Sequence, residues 1–351
     1  MAGRIVVFGA TGYTGVLTAR ALVAQGARPV LAGRNRTALT ALADGLGGLE
    51  IAYADVEEPR SVRALVESGD VLVTTVGPFQ RYGHAALEAA VDAGAHYLDS
   101  TGEPPFIREV FESYGPRATR SALIPAFGYD YVPGNLAAGL ALDRVGDDGF
   151  RVDIGYFVGG GDLWRGLTAG SLQSVAGVAT ARMYSFRGRI HEERRPRVRE
   201  FQVAGRSRPG LSIGSSEHFA LPESYPALYE VNVYLGWFGR ATRPAARGRV
   251  GAYGARAALG TMARLARRRS GKSTLTSRIV AVAYDSEGSL LTDVHLSGGD
   301  PYEFTAGALS WAACQASRGM VETGALGPIN AFGLAELEAG CAMAGIARVT
   351  G

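Results

Sequence analysis

Along residues 1 to about 128 the hydrophobic pattern switches back and forth between two periods. Short, unbroken apolar runs at 5–8, 30–32, 51–54, 71–76, 97–98 and 123–125 read as strands. Helix-period segments lie between them at 16–25, 37–45, 59–68, 83–94 and 104–119. Strands alternating with helices of this length predict a parallel, doubly wound α/β sheet of the Rossmann kind. Its ligand crevice belongs at the carboxyl ends of the strands.

From about residue 150 the pattern changes. Segments 150–158, 227–237 and 277–283 alternate as half-buried strands, and 289–297 pairs with 277–285 through the turn Asp285-Ser286-Glu287-Gly288. Helix-period stretches sit at 165–184, 250–269, 301–318 and 330–345. Strands in runs joined by long helices predict a second, α+β domain on a mostly antiparallel sheet. The expected boundaries are 1–130 for the nucleotide-binding domain and 131–326 for a substrate and dimerisation domain. The helical tail 327–351 is expected to return to the first domain. The Arg187–Arg208 and Arg264–Lys272 stretches read as basic loops or helix ends. A solvated face is their simple explanation; a docking surface for an anionic substrate or carrier protein is the alternative.

Composition adds boundaries. The chain has 351 residues, 47% of them hydrophobic and 20% charged, as in ordinary globular proteins large enough for two domains. A net charge of +3 directs it toward no nucleic acid. No apolar run approaches the roughly 20 residues that span a bilayer. The start Met-Ala-Gly-Arg leads straight into the first strand without room for a signal peptide, and Cys314 and Cys341 have neither metal-ligand nor disulfide spacing. These features suit a reducing cytoplasm and no resident metal. Both cysteines lie in apolar helical segments and are expected to be structural.

The chemistry begins in Gly9-Ala10-Thr11-Gly12-Tyr13-Thr14-Gly15, which joins the first strand to the first helix. Gly9 lets the chain leave the strand in a tight turn, Gly12 lets a pyrophosphate approach the backbone, and Gly15 lets helix and strand pack closely. Phosphates would sit on the helix N-terminus, favoured by its dipole. Thr11, Tyr13 and Thr14 complete that turn. Arg34 ends the second strand where an NAD-preferring fold carries an acid, so its guanidinium suits a 2′-phosphate and the cofactor NADP. Asn35 or Thr37 can add hydrogen bonds. Asp55 follows the third strand, placed to bond the adenine amino group or to cap the helix at Pro59. After the fourth strand, Val76, Gly77 and Pro78 would flank the nicotinamide ribose, with Phe79 and Tyr82 against cofactor, substrate or the neighbouring domain.

Asp99 and Glu103 after the fifth strand, and Tyr129 and Asp130 after the sixth, are candidate polar groups in the crevice. Gly134 and Asn135 serve there or cap a helix from 136.

The strings GATGYTG, LAGRN, TTVGPFQRYG, DSTGE and GYDYVPGN, in that order, resemble the saccharopine dehydrogenase-like oxidoreductases. Within them, the branch called trans-acting enoyl reductases, which act beside polyketide synthases in actinobacteria, is the most similar. A weaker echo lies at Asp300-Pro301-Tyr302 and the segments behind it, while 185–275 carries little resemblance. Family members typically read Gly-Phe-Asp-Ser-Val-Pro-Ser-Asp where this chain has Gly128-Tyr129-Asp130-Tyr131-Val132-Pro133-Gly134-Asn135, so two serines and an acid are replaced. The resemblance implies NADPH on the first domain, a small-molecule or carrier-bound substrate between the two domains, and reduction of a conjugated C=C or a C=N bond. Tyr82 and Tyr129 are the candidates for proton donation or carbonyl polarisation, with solvent as the alternative proton source. No Ser-Tyr-x-x-x-Lys arrangement is present. The leading expectation is an NADPH-dependent enoyl or enone reductase of polyketide, lipid or other secondary metabolism. The alternatives are an imine reductase or saccharopine-type dehydrogenase, with Arg165 and Arg182 as carboxylate binders, and an idle NADP-binding scaffold. An exposed antiparallel sheet suits a homodimer.

Overall fold

The computed structural model describes residues 2–159, 183–193, 195–236, 242 and 275–349. The expected helices at 165–182 and 250–269, Arg165, Arg182, Trp237 and the Arg264–Lys272 run lie outside them. The chain divides into two compact units. The first comprises Met1–Thr101, Phe106–Asp130 and Tyr302–Gly345; the second comprises Gly102–Pro105, Tyr131–Pro301 and Ile346–Gly351.

The first unit is a seven-stranded parallel sheet. Its strands are β1 (Ile5–Phe8), β2 (Val30–Gly33), β3 (Ile51–Tyr53), β4 (Val71–Thr74), β5 (His96–Asp99), β6 (Ala122–Ile124) and, from far along the chain, β15 (Gly324–Ala325). They stand in the order β15-β6-β5-β4-β1-β2-β3. Strand order reverses between β1 and β4, which is where such sheets bind ligands. Every residue of β1 and β4 is buried, as strands covered on both faces require, whereas edge strand β3 is only half-buried. Helices α1 (Tyr13–Ala24), α2 (Arg36–Gly45), α3 (Pro59–Arg63), α4 (Phe79–Tyr82) and α5 (His84–Ala93) supply the crossovers. Helix α5 ends on Gly94 in the left-handed region at φ 72°.

Two helices differ from the reading of periodicity. The segment expected to be helical over 59–68 stops at Arg63, because the Asp70 carboxylate takes the Glu67 amide at 3.0 Å and turns the chain. The one expected over 104–119 is α6 (Pro104–Glu109), followed by a π turn at Val110–Tyr114 and a 3₁₀ turn at Gly115–Arg117. Pro116 has no amide to continue an α ladder.

The second unit holds a nine-stranded mixed sheet. Strands β7 (Arg151–Gly159), β8 (Met183–Arg187), β9 (Ile190–Glu193), β10 (Val198–Val203), β11 (Arg206–Ser212), β12 (Glu230–Leu235), β13 (Thr276–Tyr284), β14 (Leu290–Gly298) and β16 (Ile346–Arg348) form it. All its pairs are antiparallel except β12 with β7. The β13–β14 hairpin closes through Asp285, whose Oδ1 accepts the amides of Glu287 and Ser289. Helix α7 (Val132–Val145) packs on this sheet, and α8 (Glu217–Ser224) packs beside α7.

Four expectations are corrected here. The basic stretch 187–208 is not loop or helix end but most of a β meander that starts at Met183, inside the segment read as helix over 165–184. Along β10, Glu200 and Gln202 alternate with Phe201 and Val203, so Phe201 and Val203 are buried while Glu200 and Gln202 face water. Arg197 bonds Glu193 and Asn232, and Arg199 pairs with Asp153 and Tyr284. Helix α9 (Pro301–Ala316) packs with the first unit from Tyr302 onward, so 302–326 does not stay with the second domain. Gln25 at the end of α1 donates to Ser310 of α9 at 2.6 Å, and Gly3 to the Ser317 carbonyl at 2.8 Å. The segment expected as one helix over 330–345 breaks at Gly333, φ 80°, into α10 (Pro328–Phe332) and α11 (Leu334–Met343). Its end is not helical: β16 pairs with β14.

Candidate functional site

The carboxyl edge of the first sheet is built around the turn after β1. Gly9 sits at φ 86°, and a Cβ there would crowd Thr75 Oγ1 and Val76 Cγ2. Thr75 donates its hydroxyl to the Gly9 carbonyl at 3.2 Å, tying this turn to the end of β4. A Cβ on Gly15 would overlap the Gly9 carbonyl, so helix and turn are in direct backbone contact. Gly12 is different: among the described residues the only neighbour its Cβ would meet within 4 Å is the Gly9 oxygen, at 3.3 Å. Gly12 is also the N-cap of α1, no side chain caps that helix, and its first turn holds no acid. Thr11, Gly12 and Tyr13 are exposed and Thr14 is half-buried. The backbone thus presents an open, electropositive cradle, which fits the pyrophosphate of a dinucleotide.

Arg34, the first residue beyond β2, is exposed and has no hydrogen-bond or ion-pair partner among the described residues. Neighbouring Asn35 is the N-cap of α2, its Oδ1 accepting the Ala38 amide at 3.0 Å, which leaves the side-chain NH2 to point elsewhere. Thr37 is exposed in the same turn. Asp55 caps no helix: Glu58 is the N-cap of α3, while Asp55 Oδ1 accepts the Glu57 amide at 3.1 Å. Beyond β4, Val76 is half-buried and Gly77 and Pro78 are exposed, joined by a cis peptide. Phe79 turns inward against Phe106, ring centroids 5.8 Å apart, as core and not as a ligand contact.

Asp99 is a structural staple, not a crevice group. Its Oδ1 accepts the amides of Thr101 and Ala126, each at 2.8 Å, and its Oδ2 accepts the Tyr97 hydroxyl at 2.7 Å. It is fully buried. Tyr129 is 3% exposed; its amide donates to Thr305 Oγ1 at 3.0 Å and its ring meets Phe304 edge-on. Asp130 keeps part of its surface exposed, yet desolvation by the surrounding protein pushes its carboxyl up to about 6. Tyr82, half-buried under the Arg81 guanidinium, lines a cavity of about 730 Å³ between α3 and α5. Arg60, Arg63 and His84 line the same cavity. Glu103 belongs to the second unit.

A second polar group of residues lies wholly within the second unit. Helix α7 begins at Val132 with Pro133 in its first turn, so Gly134 and Asn135 are inside the helix and do not cap it. A Cβ on Gly134 would overlap the Tyr156 hydroxyl and Glu217 Oε1. Tyr156 lies 2.6 Å from Glu217 Oε1 and 3.0 Å from the Tyr131 carbonyl, and Asn135 donates to that carbonyl at 3.0 Å and to Ser216 at 3.3 Å. The space that a side chain at 134 would take is filled by the Tyr156 phenol from β7 and the Glu217 carboxylate from α8. His218 is fully buried, and burial pushes its imidazole down to about 4. Its Nδ1 lies 3.2 Å from the Ser215 amide, 3.0 Å from the Ser215 hydroxyl and 3.3 Å from the Ser215 carbonyl. Sequence reading missed Tyr156, Glu217 and His218; Tyr156 lies far along the chain from the adjacent Glu217 and His218, and they follow no motif.

Among the described residues no three His, Cys, Asp or Glu side chains form a metal site, and no helix is long and apolar enough to cross a membrane. Cys341 is buried, with its thiol pushed up beyond the ordinary range by desolvation, and Cys314 is half-buried.

Residues 5–122 match the family model described as the saccharopine dehydrogenase NADP-binding domain. A trans-acting enoyl reductase of Mycobacterium ulcerans (strain Agy99) is 36% identical over 153 residues, covering 41% of this chain and 37% of that protein. A trans-acting enoyl reductase of Mycobacterium tuberculosis (strain ATCC 25618 / H37Rv) is 37% identical over 153 residues, again 41% of this chain and 37% of the relative. The chain thus matches little more than a third of the length of these relatives. Apo saccharopine dehydrogenase (L-Glu forming) of Saccharomyces cerevisiae has a TM-score of 0.58 over 99% of this chain and 100% of that one, at 12% identity. That last likeness is one of fold.

Proposed function

We propose that this chain, whose residues 5–122 match the saccharopine dehydrogenase NADP-binding domain, is an NADPH-dependent oxidoreductase. In this reading it reduces an α,β-unsaturated, enoyl or enone, intermediate of secondary metabolism. The observation that carries it is the open glycine cradle at the N-terminus of α1, with the unpartnered Arg34 at the end of β2. Gly9, Thr11, Gly12, Tyr13, Thr14 and Gly15 would hold the pyrophosphate, and Arg34 and Asn35 the 2′-phosphate. Asp55 offers its second oxygen to the adenine, and Val76, Gly77 and Pro78 flank the nicotinamide ribose. The choice of an enoyl substrate leans on the relatives' names.

NADPH, when bound, supplies a hydride to an electron-poor carbon of the substrate. The neighbouring carbon then needs a proton, and Asp130 is the described residue best fitted to hold one. Its partial burial keeps the carboxyl protonated at higher pH than an exposed aspartate would be. Tyr129 precedes it on the same loop and is the candidate for orienting a carbonyl. Tyr82 remains the alternative donor, from the wall of the α3–α5 cavity.

Titration of wild type and Arg34→Asp with NADPH and NADH tests the cofactor assignment. The substitution should weaken NADPH by roughly 10- to 100-fold while leaving NADH within a few-fold. Unchanged NADPH affinity would remove the assignment. NADPH oxidation across enone, imine and ketone panels then tests the reaction: turnover confined to imines would overturn the enoyl reading, and binding without any turnover would favour a scaffold.

A further inference from the structure

Helix α9 enters the first unit with its first turn at the same end as the glycine cradle. Two contacts establish this. Tyr302 meets Tyr13 edge to face, ring centroids 5.3 Å apart at 90°, while one or more turns later Ser310 accepts from Gln25 beyond the far end of α1. The two helices therefore run side by side in the same direction, N-termini together. The same first turn reaches the loop after β6. Thr305 accepts the Tyr129 amide at 3.0 Å, and its methyl lies where a Cβ on Gly128 would sit. One turn of α9 thus touches both the loop that would hold phosphates and the loop that carries Asp130.

Tyr13 is the informative partner. It is the first residue of α1, directly after Gly12, and 56% of its surface is exposed. A large aromatic ring at the mouth of an anion-binding helix end can offer a hydroxyl to a phosphate and a ring to a sugar, provided its rotamer is fixed. Tyr302 fixes it, because an edge-to-face pair restricts the ring while more than half of the Tyr13 surface stays exposed.

We propose that Tyr302 is a positioning residue of the dinucleotide site, acting through Tyr13, so that a segment nearly 300 residues away completes the cradle made by residues 9–15. This rests on the NADP reading above and adds a residue that lies outside the matched domain.

The test is an equilibrium titration with NADPH, read by protein-to-nicotinamide fluorescence transfer and by the cofactor's shift of the melting temperature. It uses wild type, Tyr302→Leu, Tyr302→Ala, Tyr302→Phe, Tyr13→Ala and the double variant Tyr13→Ala/Tyr302→Leu. Wild type that binds no NADPH overturns the cofactor reading itself. With wild type binding, Tyr302→Leu and Tyr302→Ala should weaken NADPH roughly three- to tenfold and Tyr302→Phe should restore it. The double variant should bind no more weakly than Tyr13→Ala alone. Folded Leu or Ala variants with wild-type affinity, or losses that add in the double variant, overturn the role given to Tyr302.

Discussion

The carboxylate of Asp99 holds the amide of Ala126 at 2.8 Å, and Ala126 stands in the left-handed region at φ 56°. A residue with a Cβ in that region costs about 1–2 kcal/mol. The staple fixes the direction in which the chain leaves β6, three residues before Tyr129 and four before Asp130. Replacing Asp99 by Ala strands two buried amides and a buried phenol and should cost about 3–5 kcal/mol in urea unfolding. Ala126→Gly should be neutral to slightly stabilising, whereas Ala126→Val should destabilise by at least about 2 kcal/mol. Equal stability of the Gly and Val variants would show that the backbone at 126 is not under this constraint.

Gly12 and Gly15 separate cofactor binding from folding. A methyl at Gly12 meets only one neighbour, so Gly12→Ala should fold with nearly wild-type stability and lose NADPH affinity by about tenfold or more. At Gly15 the methyl overlaps the backbone of the turn, so Gly15→Ala should lower the melting temperature markedly. A Gly12→Ala protein that binds NADPH normally would place the phosphates elsewhere.

Asp130 sets a pH dependence. Its carboxyl is raised to about 6, so the protonated, donating form disappears as pH rises through that value. The rate constant kcat/KM for the reduction should fall above about pH 6, approaching tenfold per unit, and Asp130→Asn should remove both most of the rate and this slope. A slope that survives in Asp130→Asn, and vanishes instead in Tyr82→Phe or Tyr129→Phe, would move the proton to a tyrosine.

His218 sets another, in stability. Its folded value of about 4 lies below the 6.5 of an unfolded histidine. Above pH 6.5 both states are neutral there and nothing is lost. Between 6.5 and 4 the unfolded chain takes up the proton first, and stability falls by on the order of 3 kcal/mol before levelling. Urea midpoints of wild type and His218→Asn across that window should converge as pH falls. Parallel curves would mean that His218 takes up its proton equally in both states.

Much of the first unit was legible because its strands are short and mostly apolar, as at β1 and β4. The glycine turn was legible too, since each of its three glycines has a distinct steric reason. What the sequence concealed was long-range pairing. Arginines at 197 and 199 read as a solvated face because their partners Asn232 and Asp153 lie on strands that only the folded sheet brings alongside. Asp99 read as a ligand group because nothing near it in the chain announces that the amide of Ala126 will need an acceptor. The end of helical structure near Pro116, in the 3₁₀ turn after α6 and the π turn, could have been read, and the pull of periodicity hid it.

The parallel sheet of the first unit is finished by a strand and a helix that arrive after residue 301. Until they do, β6 presents an unpaired edge, and the flank of α1 that holds Gln25 lacks its neighbour. A chain interrupted near residue 130 would therefore expose a sheet margin able to pair with another chain.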